Sequence, residues 1–272
     1  MTTFVVPTDG SAFADRALRP ACALASRLGQ ASVLLVSCTP GDGGATQAHL
    51  EDRASLFGEV VDVSTQLVDE ADPAEGILRT VSSTPDATLC MATHGHGGLR
   101  TAVLGSVAEK VVRRCTDPLV LVGPACRTAV LPGEVGRLLV CSDGSDFSEA
   151  ILPTAVSWAT RLDLRPCIAE VVPPDETVNQ AGTAVRNRQV EAASARLECL
   201  ADRFGESPRT ASLEVLHGTP VSRSITGFAD RLPAALVAMA THGRSGLTRT
   251  AMGSVAAEVA RYSPCPLLLT RP

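Results

Sequence analysis

Two short motifs, each present twice in the chain, contain the residue types best suited to bind a small ligand. The first is an apolar run that ends in Asp-Gly-Ser, with its carboxylates at Asp9 and Asp143. A carboxylate just after a strand can accept hydrogen bonds from a ribose hydroxyl or an adenine amino group. Asp-Gly-Ser is also common where a loop enters a helix, because Asp or Ser can cap the free helix amides. In the second copy, Asp146 and Glu149 form a competing capping box, which leaves Asp143 available for a ligand.

The second motif has the form Ala-x-x-Gly, nine residues, Gly-Ser. Its two copies contain Ala92, Gly95, Gly105 and Ser106 in the first half of the chain, and Ala240, Gly243, Gly253 and Ser254 in the second. Small residues let the backbone approach a ligand closely, and the free amides at a helix N-terminus attract phosphate oxygens. In the alternative interpretation, Ser106 only caps its own helix, since Ser106 and Glu109 form a capping box. The second copy keeps Gly-Ser but has Ala257 in place of the glutamate, which favours phosphate binding.

One histidine lies within each copy of the second motif, at His94 and His242. A histidine can bind a metal or act as a base, but no acidic or cysteine partner recurs at a fixed spacing in both halves. The chain also has no Gly-x-x-x-x-Gly-Lys-Ser/Thr, Gly-x-Gly-x-x-Gly or Gly-x-Ser-x-Gly motif. We therefore predict neither catalytic residues nor a metal site. A nucleotide-hydrolysing enzyme is the weaker alternative, and its activity would depend on Asp9 or His94.

The motifs occur twice because the chain is a tandem duplication. Residues 86–122 match residues 234–270 at 17 of 37 positions without a gap, at an offset of 148 residues. The two Asp-Gly-Ser motifs are only 134 residues apart, so the second half holds 14 additional residues. We assign this extra length to residues 173–204.

A glycine- and proline-rich stretch separates the two copies. Residues 123–136 contain two prolines and three glycines and show no amphipathic period, as expected of a linker. We therefore predict a first domain at residues 1–124, a linker at 125–136 and a second domain at 137–272. Each half has the size of one ordinary domain.

Within each half, short apolar runs alternate with helical stretches. In the first half, the predicted strands are 3–6, 32–37, 60–67, 87–91 and 118–122, and the predicted helices are 13–28, 46–57, 73–81 and 106–114. The second half repeats this order with a longer second helix near 183–204. Almost continuous apolar strands that alternate with helices predict a parallel sheet covered on both faces. The predicted fold class is therefore α/β, with two tandem, doubly wound, Rossmann-like domains of five parallel strands. Both motifs lie at the carboxyl ends of strands, where such sheets bind ligands.

Composition and charge exclude several classes of protein. The chain has 272 residues and is 45% hydrophobic, so it can bury a core, and it has 24 Lys and Arg against 29 Asp and Glu without a basic run, which argues against nucleic-acid binding. No apolar stretch approaches the roughly 20 residues needed to span a bilayer, and the first residues do not resemble a signal peptide. We expect a cytoplasmic protein that binds neither membranes nor nucleic acids. Its nine cysteines are expected to be buried and reduced.

Taken together, these segments resemble the universal stress protein family. The resemblance rests on the strand that ends in Asp-Gly-Ser, on Met-Ala-Thr-His-Gly, the nine-residue spacer, Gly-Ser-Val-Ala-Glu-Lys-Val-Val and the closing Asp-Pro-Leu-Val-Leu-Val. It covers nearly the whole chain, twice, as in a tandem universal stress protein. The resemblance implies the strand order 3-2-1-4-5, dimerisation through the last strand and, in one branch of the family, ATP bound in each domain, with or without Mg²⁺. It also implies a role in the stress response, with slow ATP hydrolysis at most.

Carried over by position, the resemblance implies a nucleotide site in each half. The implied residues are Pro7, Thr8, Asp9, Val36, Ala92, His94, Gly95, Gly105, Ser106 and Val107 in the first half, and Asp143, Ala240, His242, Gly243, Gly253, Ser254 and Val255 in the second. The two aspartates would contact the adenosine, the backbone near Val36 would line the adenine, and the Gly/Gly-Ser segments would hold the phosphates.

The chain departs from the family pattern at two places. The family motif begins with Gly, whereas this chain has Ala92 and Ala240, which add a methyl group beside the ribose. The residue 134 positions after Val36 is Glu170, so the second adenine pocket is expected to differ from the first. A second functional class therefore stays open. It is an interaction module of the same fold that binds no nucleotide, dimerises and recruits protein partners. For either class we expect a homodimer, pairing of the two halves within one chain, or both.

Overall fold

The computed structural model describes residues 1–41, 44–94, 104–127, 136–173, 180–204, 211–241 and 252–271. Within these residues the first half forms β1 (Thr2–Pro7), α1 (Leu18–Leu28), β2 (Ala31–Cys38), α2 (Gly44–Ser55), β3 (Asp62–Val68), α3 (Pro73–Ser83), β4 (Ala87–Ala92), α4 (Ser106–Arg114) and β5 (Leu119–Val122). The second half forms β6 (Arg137–Ser142), α5 (Asp146–Glu149), α6 (Leu152–Arg161), β7 (Arg165–Val172), α7 (Gln180–Asp202), β8 (Ser212–His217), α8 (Val221–Arg231), β9 (Ala234–Ala240), α9 (Ser254–Tyr262) and β10 (Leu267–Thr270).

The helices and strands follow the predicted order, with two differences of detail. A 3-10 helix, Ala14–Ala17, precedes α1, because Pro20 lacks an amide hydrogen and fits only the first turn of an α-helix. Helix α7 has 23 residues against 12 for α2, which accounts for most of the extra length of the second half. None of the helices in the described part of the chain is long and apolar enough to cross a membrane.

All ten strands belong to one sheet, in the order β3-β2-β1-β4-β5-β10-β9-β6-β7-β8. Within each half the strands are parallel and follow the order 3-2-1-4-5, as predicted. The halves are joined by the antiparallel pairing of β5 with β10, in which Val120 lies opposite Leu268. The last strand of each half is therefore paired with the other half of the same chain.

Helices cover both faces of the sheet and form two core layers. One layer packs α1, α2, α6 and α7 against the sheet and includes Leu24 and Trp158. The other packs α3, α4, α8 and α9 and includes Ile77 and Ile225. The first layer also connects the halves, because the ring of Phe4 on β1 packs edge-to-face on Trp158, with 6.2 Å between the ring centroids.

The nine cysteines are free, and seven of them are buried. Burial raises the pKa of Cys22 and of Cys265 to about 12, so both are small, protonated side chains at neutral pH. The expectation of burial is wrong for Cys199, which is exposed on α7, and only partly met by Cys38, which is half-buried at the end of β2. Helix α7 lies on the outside of the molecule, so part of its surface faces solvent.

Candidate functional site

Each half has a cavity of about 280 Å³ at the carboxyl ends of its central strands. In both halves the first and fourth strands are neighbours, and their chains continue to opposite faces of the sheet, which leaves a crevice between the loops that follow them. The predicted residues that line the first cavity are Pro7, Thr8, Asp9, Val36, Ala92, His94, Gly105, Ser106 and Val107. Those that line the second are Asp143, Ala240, Gly253, Ser254 and Val255. Gly95, His242 and Gly243 lie outside the described residues.

The Asp-Gly-Ser segments form tight turns beneath the cavity openings. Gly10 and Gly144 have φ values of 79° and 75°, which favour glycine. The Asp9 carboxylate accepts the amide of Ser11 at 3.0 Å. Asp143 accepts both the amide and the hydroxyl of Ser145, at 3.1 and 2.6 Å. Each aspartate therefore stabilises its own turn and also lines a cavity.

The capping interpretation of the second Asp-Gly-Ser motif is confirmed at its serine, whereas the competing capping box predicted at Asp146 and Glu149 is wrong. Ser145, not Asp146, caps α5, because its hydroxyl accepts the amide of Ser148 at 3.2 Å. The hydroxyl of Ser148 then donates to the carbonyl of Ser145 at 2.8 Å. Asp143 is consequently part of a local network rather than released by a competing cap.

The Gly-Ser pairs place helix N-termini at the cavities. Gly105 and Gly253 are the N-cap residues of α4 and α9, and neither can offer a capping side chain. Ser106 is already the first helical residue, so the predicted capping box with Glu109 is wrong; the glutamate instead pairs with Arg113 at 3.1 Å. The first-turn amides of both helices are therefore left to face the cavity, which also favours anion binding.

The glycine of each Gly-Ser pair is hydrogen-bonded to the residue that directly follows the preceding strand. The amide of Gly105 donates to the carbonyl of Thr93 at 2.8 Å, and the amide of Gly253 donates to the carbonyl of Thr241 at 2.7 Å. Both threonines are buried at the ends of their strands. In each half this hydrogen bond fixes the helix N-terminus next to the strand end. The same bond in both halves explains why the two spacers have equal length.

His94 lies at the edge of the first cavity. Its Nδ1 atom is 2.9 Å from the hydroxyl oxygen of Thr93, and its ring packs edge-to-face on Phe13, with 5.9 Å between the ring centroids. Among the described residues, no group of three or more His, Cys, Asp and Glu side chains could hold a metal ion.

The strand register corrects the predicted correspondence between Val36 and Glu170. Val36 lies opposite Pro7 on β1, and the residue opposite the equivalent Cys141 on β6 is Ala169. The segment between the first two strands is therefore one residue shorter in the second half. Since neighbouring strand residues point to opposite faces, Ala169 lines the second cavity and Glu170 points away from it.

Glu170 belongs to an ion pair beneath the second Asp-Gly-Ser turn. Only 3% of Glu170 is exposed, and Arg196 on α7 donates to its carboxylate from Nε at 3.0 Å and from a second nitrogen at 2.5 Å. This hydrogen bonding raises the pKa of Arg196. A Cβ atom on Gly144 would lie 2.5 Å from Nε of Arg196, so the arginine also supports the turn from below.

We expect Arg196→Met to lower the free energy of unfolding by about 2 kcal/mol, because it leaves a buried carboxylate without its cation while Arg196 itself is partly exposed. Urea unfolding at neutral pH measures this loss. The double variant Glu170→Leu/Arg196→Met should recover most of it, since the unpaired charge is gone. A double variant as unstable as Arg196→Met alone would show that packing of the arginine, rather than its pairing, is what matters.

A similar ion pair supports the first Asp-Gly-Ser turn, but its carboxylate comes from a different position in the fold. Asp15, from the 3-10 helix, accepts the hydroxyl of Thr8 at 2.7 Å and lies 3.0 Å from Nε of Arg53 on α2. Nε2 of His49 is 3.5 Å from the same carboxylate. Each half thus places an arginine from its second long helix under the turn, although the paired acid comes from a helix in one half and from a strand in the other.

Several cavity residues were not predicted from the sequence. They include Cys38, Pro73, Ile77 and Met91 in the first half, and Val171, Val221, Ile225 and Met239 in the second. Ile77 and Ile225 are 148 residues apart, so an extension of the internal alignment to α3 and α8 would have found them. The Cys38 thiol lies 3.7 Å from the carbonyl of Pro73, and burial raises its pKa, which makes it a poor nucleophile.

The fold and the two cavities define a tandem, doubly wound α/β protein with one ligand crevice per half. A sequence profile of the universal stress protein family matches residues 1–123 and 134–271, so this chain belongs to the universal stress protein family. Universal stress protein Rv2005c of Mycobacterium tuberculosis strain H37Rv is 29% identical over 185 residues, which is 66% of this chain and 60% of that protein. The matched part of this chain thus spans about three fifths of the length of that relative.

Solved structures support the fold over the whole chain. The functionally unknown protein PA1789 from Pseudomonas aeruginosa PAO1 is 18% identical, with a TM-score of 0.68 over 99% of this chain and 92% of its own. A universal stress protein from Archaeoglobus fulgidus DSM 4304 is 15% identical, with a TM-score of 0.59 over 99% of this chain and 98% of its own. At these identities the likeness concerns the fold alone.

Proposed function

We propose that this protein binds ATP in the cavity of each half and acts in the stress response, with slow or no ATP hydrolysis. One observation carries the proposal. In each half a helix N-terminus without a capping side chain, at Gly105-Ser106 and Gly253-Ser254, lies in a cavity beside a strand-end aspartate. Amides and the helix dipole attract phosphates, and the carboxylate can accept hydrogen bonds from the nucleoside. Mg²⁺, when it accompanies the nucleotide, would neutralise phosphate charge.

The side chains around the first cavity support binding rather than rapid hydrolysis. The Asp9 carboxylate accepts an amide of its own turn, and the thiol of Cys38 has a raised pKa. Neither is arranged as an activated base or nucleophile, which would need a partner that orients it. His94 contacts Thr93 and Phe13. We therefore expect turnover close to the uncatalysed background.

The nine free cysteines bear on the cellular compartment of the protein, and the internal pairing of the last strands bears on its oligomeric state. Free thiols are typical of a reducing compartment, so we place the protein in the cytoplasm. The pairing of β5 with β10 supplies within one chain the contact that the family resemblance assigns to a homodimer. A homodimer of this chain would therefore have to use another surface.

Thermal unfolding with ATP tests the proposal. A ligand present at 100 times its Kd stabilises the folded state by about 2.7 kcal/mol, which corresponds to a rise in Tm of several degrees for a chain of this size. Saturating ATP should produce such a rise, whereas inorganic phosphate at the same concentration should produce a much smaller one. Absence of any shift at millimolar ATP, together with stoichiometric capture of a protein partner, would favour the interaction module instead.

A further inference from the structure

Helices α3 and α4 pack side by side in the first half, as do α8 and α9 in the second, and each pair forms a surface groove. In the first half, charged side chains pair across this groove. Lys110 on α4 donates to the carboxylate of Asp72, the N-cap residue of α3, at 2.9 Å, and Arg114 donates to Glu75. These cations and acids are therefore already paired within the chain.

The second groove contains different residues at the same positions. Those that lie 148 residues after the paired groups are Pro220, Arg223, Glu258 and Tyr262. The carboxylate of Glu258 accepts the hydroxyl of Ser222, which is buried on α8. Arg223 forms no ion pair with any residue that the structure describes. The second half therefore has neither ion pair and carries an arginine and a tyrosine instead.

Helix α8 presents a row of arginines at this groove. Arg223, Gly227 and Arg231 are spaced by four residues, so they lie on the same side of the helix. This side faces α9, because Glu75, at the position equivalent to Arg223, reaches across to α4. Both arginines are exposed, and in the described part of the chain Arg231 has no ion-pair partner either. Gly227 replaces Arg79 of the first half, so the middle of the row is open.

Two aromatic rings complete this surface. The ring of Tyr262 on α9 is 53% exposed, and the guanidinium of Arg261 lies over it, 5.3 Å from its centroid. The guanidinium of Arg231 lies 5.8 Å from the centroid of Phe228. Arginines stacked on rings keep their charge and their N–H donors. We define the arginine groove as Arg223, Phe228, Arg231, Arg261 and Tyr262. Arginine and aromatic side chains are enriched at protein interfaces.

The arginine groove is cationic, although the whole chain has a net charge of −5. Helices α8 and α9 contain three arginines and two acids, Asp230 and Glu258. Asp230 accepts a hydrogen bond at 2.7 Å from Arg127, which follows β5. With that arginine included, this surface has four cations and two anions. A partner with exposed acids would therefore complement it.

The opposite combination, acidic and apolar, occurs between α2 and β3. Residues 51–62 contain four exposed acids, and none of them forms an ion pair within the described residues. They are Glu51, Asp52, Glu59 and Asp62. The one cation of this stretch, Arg53, lies 3.0 Å from its partner Asp15. Leu56 and Val60 are 62% and 57% exposed. We call residues 51–62 the acidic segment.

The arginine groove and the acidic segment are complementary but cannot meet within one chain. Helix α2 packs on one face of the sheet, whereas α8 and α9 cover the other face. Strand β3 is also the outermost strand of the first half. Among the described residues, five large apolar side chains are exposed, and three of them, Leu56, Val60 and Tyr262, belong to these two surfaces. Contact between the surfaces therefore requires a second copy of the chain.

We propose that copies of this chain associate head to tail, with the acidic segment of one copy in the arginine groove of the next. The contact is heterologous, because it joins two different surfaces, one from each half. Opposite charges orient the copies, while Leu56, Val60 and Tyr262 supply apolar contact area. The inference does not depend on nucleotide binding, and it leaves the pairing of β5 with β10 intact.

Sedimentation velocity of the full chain at increasing concentration tests this association. In low-salt buffer the average mass should rise above that of the monomer as the concentration rises. High salt should return it toward the monomer, because the charges involved are exposed. Arg223→Glu/Arg231→Glu and Glu59→Lys/Asp62→Lys should each raise the Kd of association by about tenfold or more, since each places like charges opposite one another.

A chain that carries all four reversals separates charge pairing from other effects. Its acidic groove faces a basic segment, so its association should return close to that of the unmodified chain. The control Arg19→Glu/Arg165→Glu changes the net charge as much as the groove variant does, at two exposed positions outside both surfaces, and should have a much smaller effect. Circular dichroism and urea unfolding verify that each variant is folded.

The proposal is overturned when the unmodified chain stays monomeric at every concentration in low salt. It is equally overturned when the chain associates but either reversed variant associates just as tightly, because the copies then meet through another surface. A fourfold variant that is folded and stays monomeric would also contradict it, since the two surfaces would then not face each other.

Discussion

Gly123→Ala is expected to lower the free energy of unfolding by about 4 kcal/mol, a large effect for one added methyl group. Gly123 follows β5 directly, and a Cβ atom there would lie 1.9 Å from the carbonyl oxygen of Ala260 on α9. A carbonyl oxygen within a helix cannot rotate away as the end of a side chain can. Helix α9 must therefore shift relative to β5, and the junction between the halves is disturbed with it.

The measurement is urea unfolding followed by circular dichroism, together with the shape of the transition. Because Gly123 lies at the β5–β10 junction, its replacement is also expected to separate the unfolding of the two halves into two steps. The matched control is Gly227→Ala within α8, where the nearest atom to a new Cβ is Nη1 of Arg231, 3.6 Å away. Alanine is favoured over glycine inside a helix, so this control should be stabilised by up to about 1 kcal/mol. Equal stability of the two variants would contradict the contact with Ala260.

The sequence predicted the helices and strands well, because residues that are close together in the chain determine where these elements begin and end. The bounds of α4, Ser106–Arg114, are those predicted, since Gly105 marks the start of the helix and Pro118 soon follows its end. The alternation of apolar strands with helices likewise predicted a parallel sheet in each half, while the strand order 3-2-1-4-5 was implied by the family resemblance. Residues that line the first cavity were predicted from motifs that adjoin the strand ends.

Errors arose where a contact between distant residues decides the geometry. Ser106 and Glu109 have the spacing of a capping box, but the hydrogen bond from Gly105 to Thr93 makes the glycine the N-cap residue instead. That bond spans the whole spacer and leaves no local sequence signal. The result is a more open helix N-terminus than the local pattern indicates.

The mistaken position of Glu170 has a different cause. A constant offset of 134 residues holds for β1 and β6 but not for β2 and β7, because one residue is missing in between. The helices in that stretch still match at an offset of 134, with Leu18, Ala25 and Leu28 aligned with Leu152, Ala159 and Leu162. The missing residue therefore lies in the short turn after the helix, where no motif marks the gap. In a strand, an error of one residue moves a side chain to the opposite face, which turned a buried ion-pair partner into a supposed adenine contact.

The double variant Gly105→Leu/Gly253→Leu is expected to lose the ATP-dependent rise in Tm and to weaken ATP binding at least 100-fold. Both glycines have extended backbone conformations, with φ and ψ of −69° and 158° at Gly105 and of −61° and 152° at Gly253, which any residue can adopt. The protein should therefore still fold. The new side chains, however, begin at the mouths of the cavities and occupy the space in which the helix amides would meet phosphate oxygens.

A matched control and a graded variant make this result specific. Gly58→Leu adds the same side chain at an exposed glycine, where a Cβ has no atom nearer than the Ala54 carbonyl oxygen at 3.9 Å, and it should keep the full shift. Gly105→Ala places its Cβ 3.4 Å from the carbonyl oxygen of Thr93, so it should weaken ATP binding at the first site far less than leucine does. ATP affinity preserved in the double variant would mean that nucleotide, if bound, does not contact these helix N-termini. The two Gly-Ser segments would then serve only to begin their helices, and the binding proposal for both halves would fail.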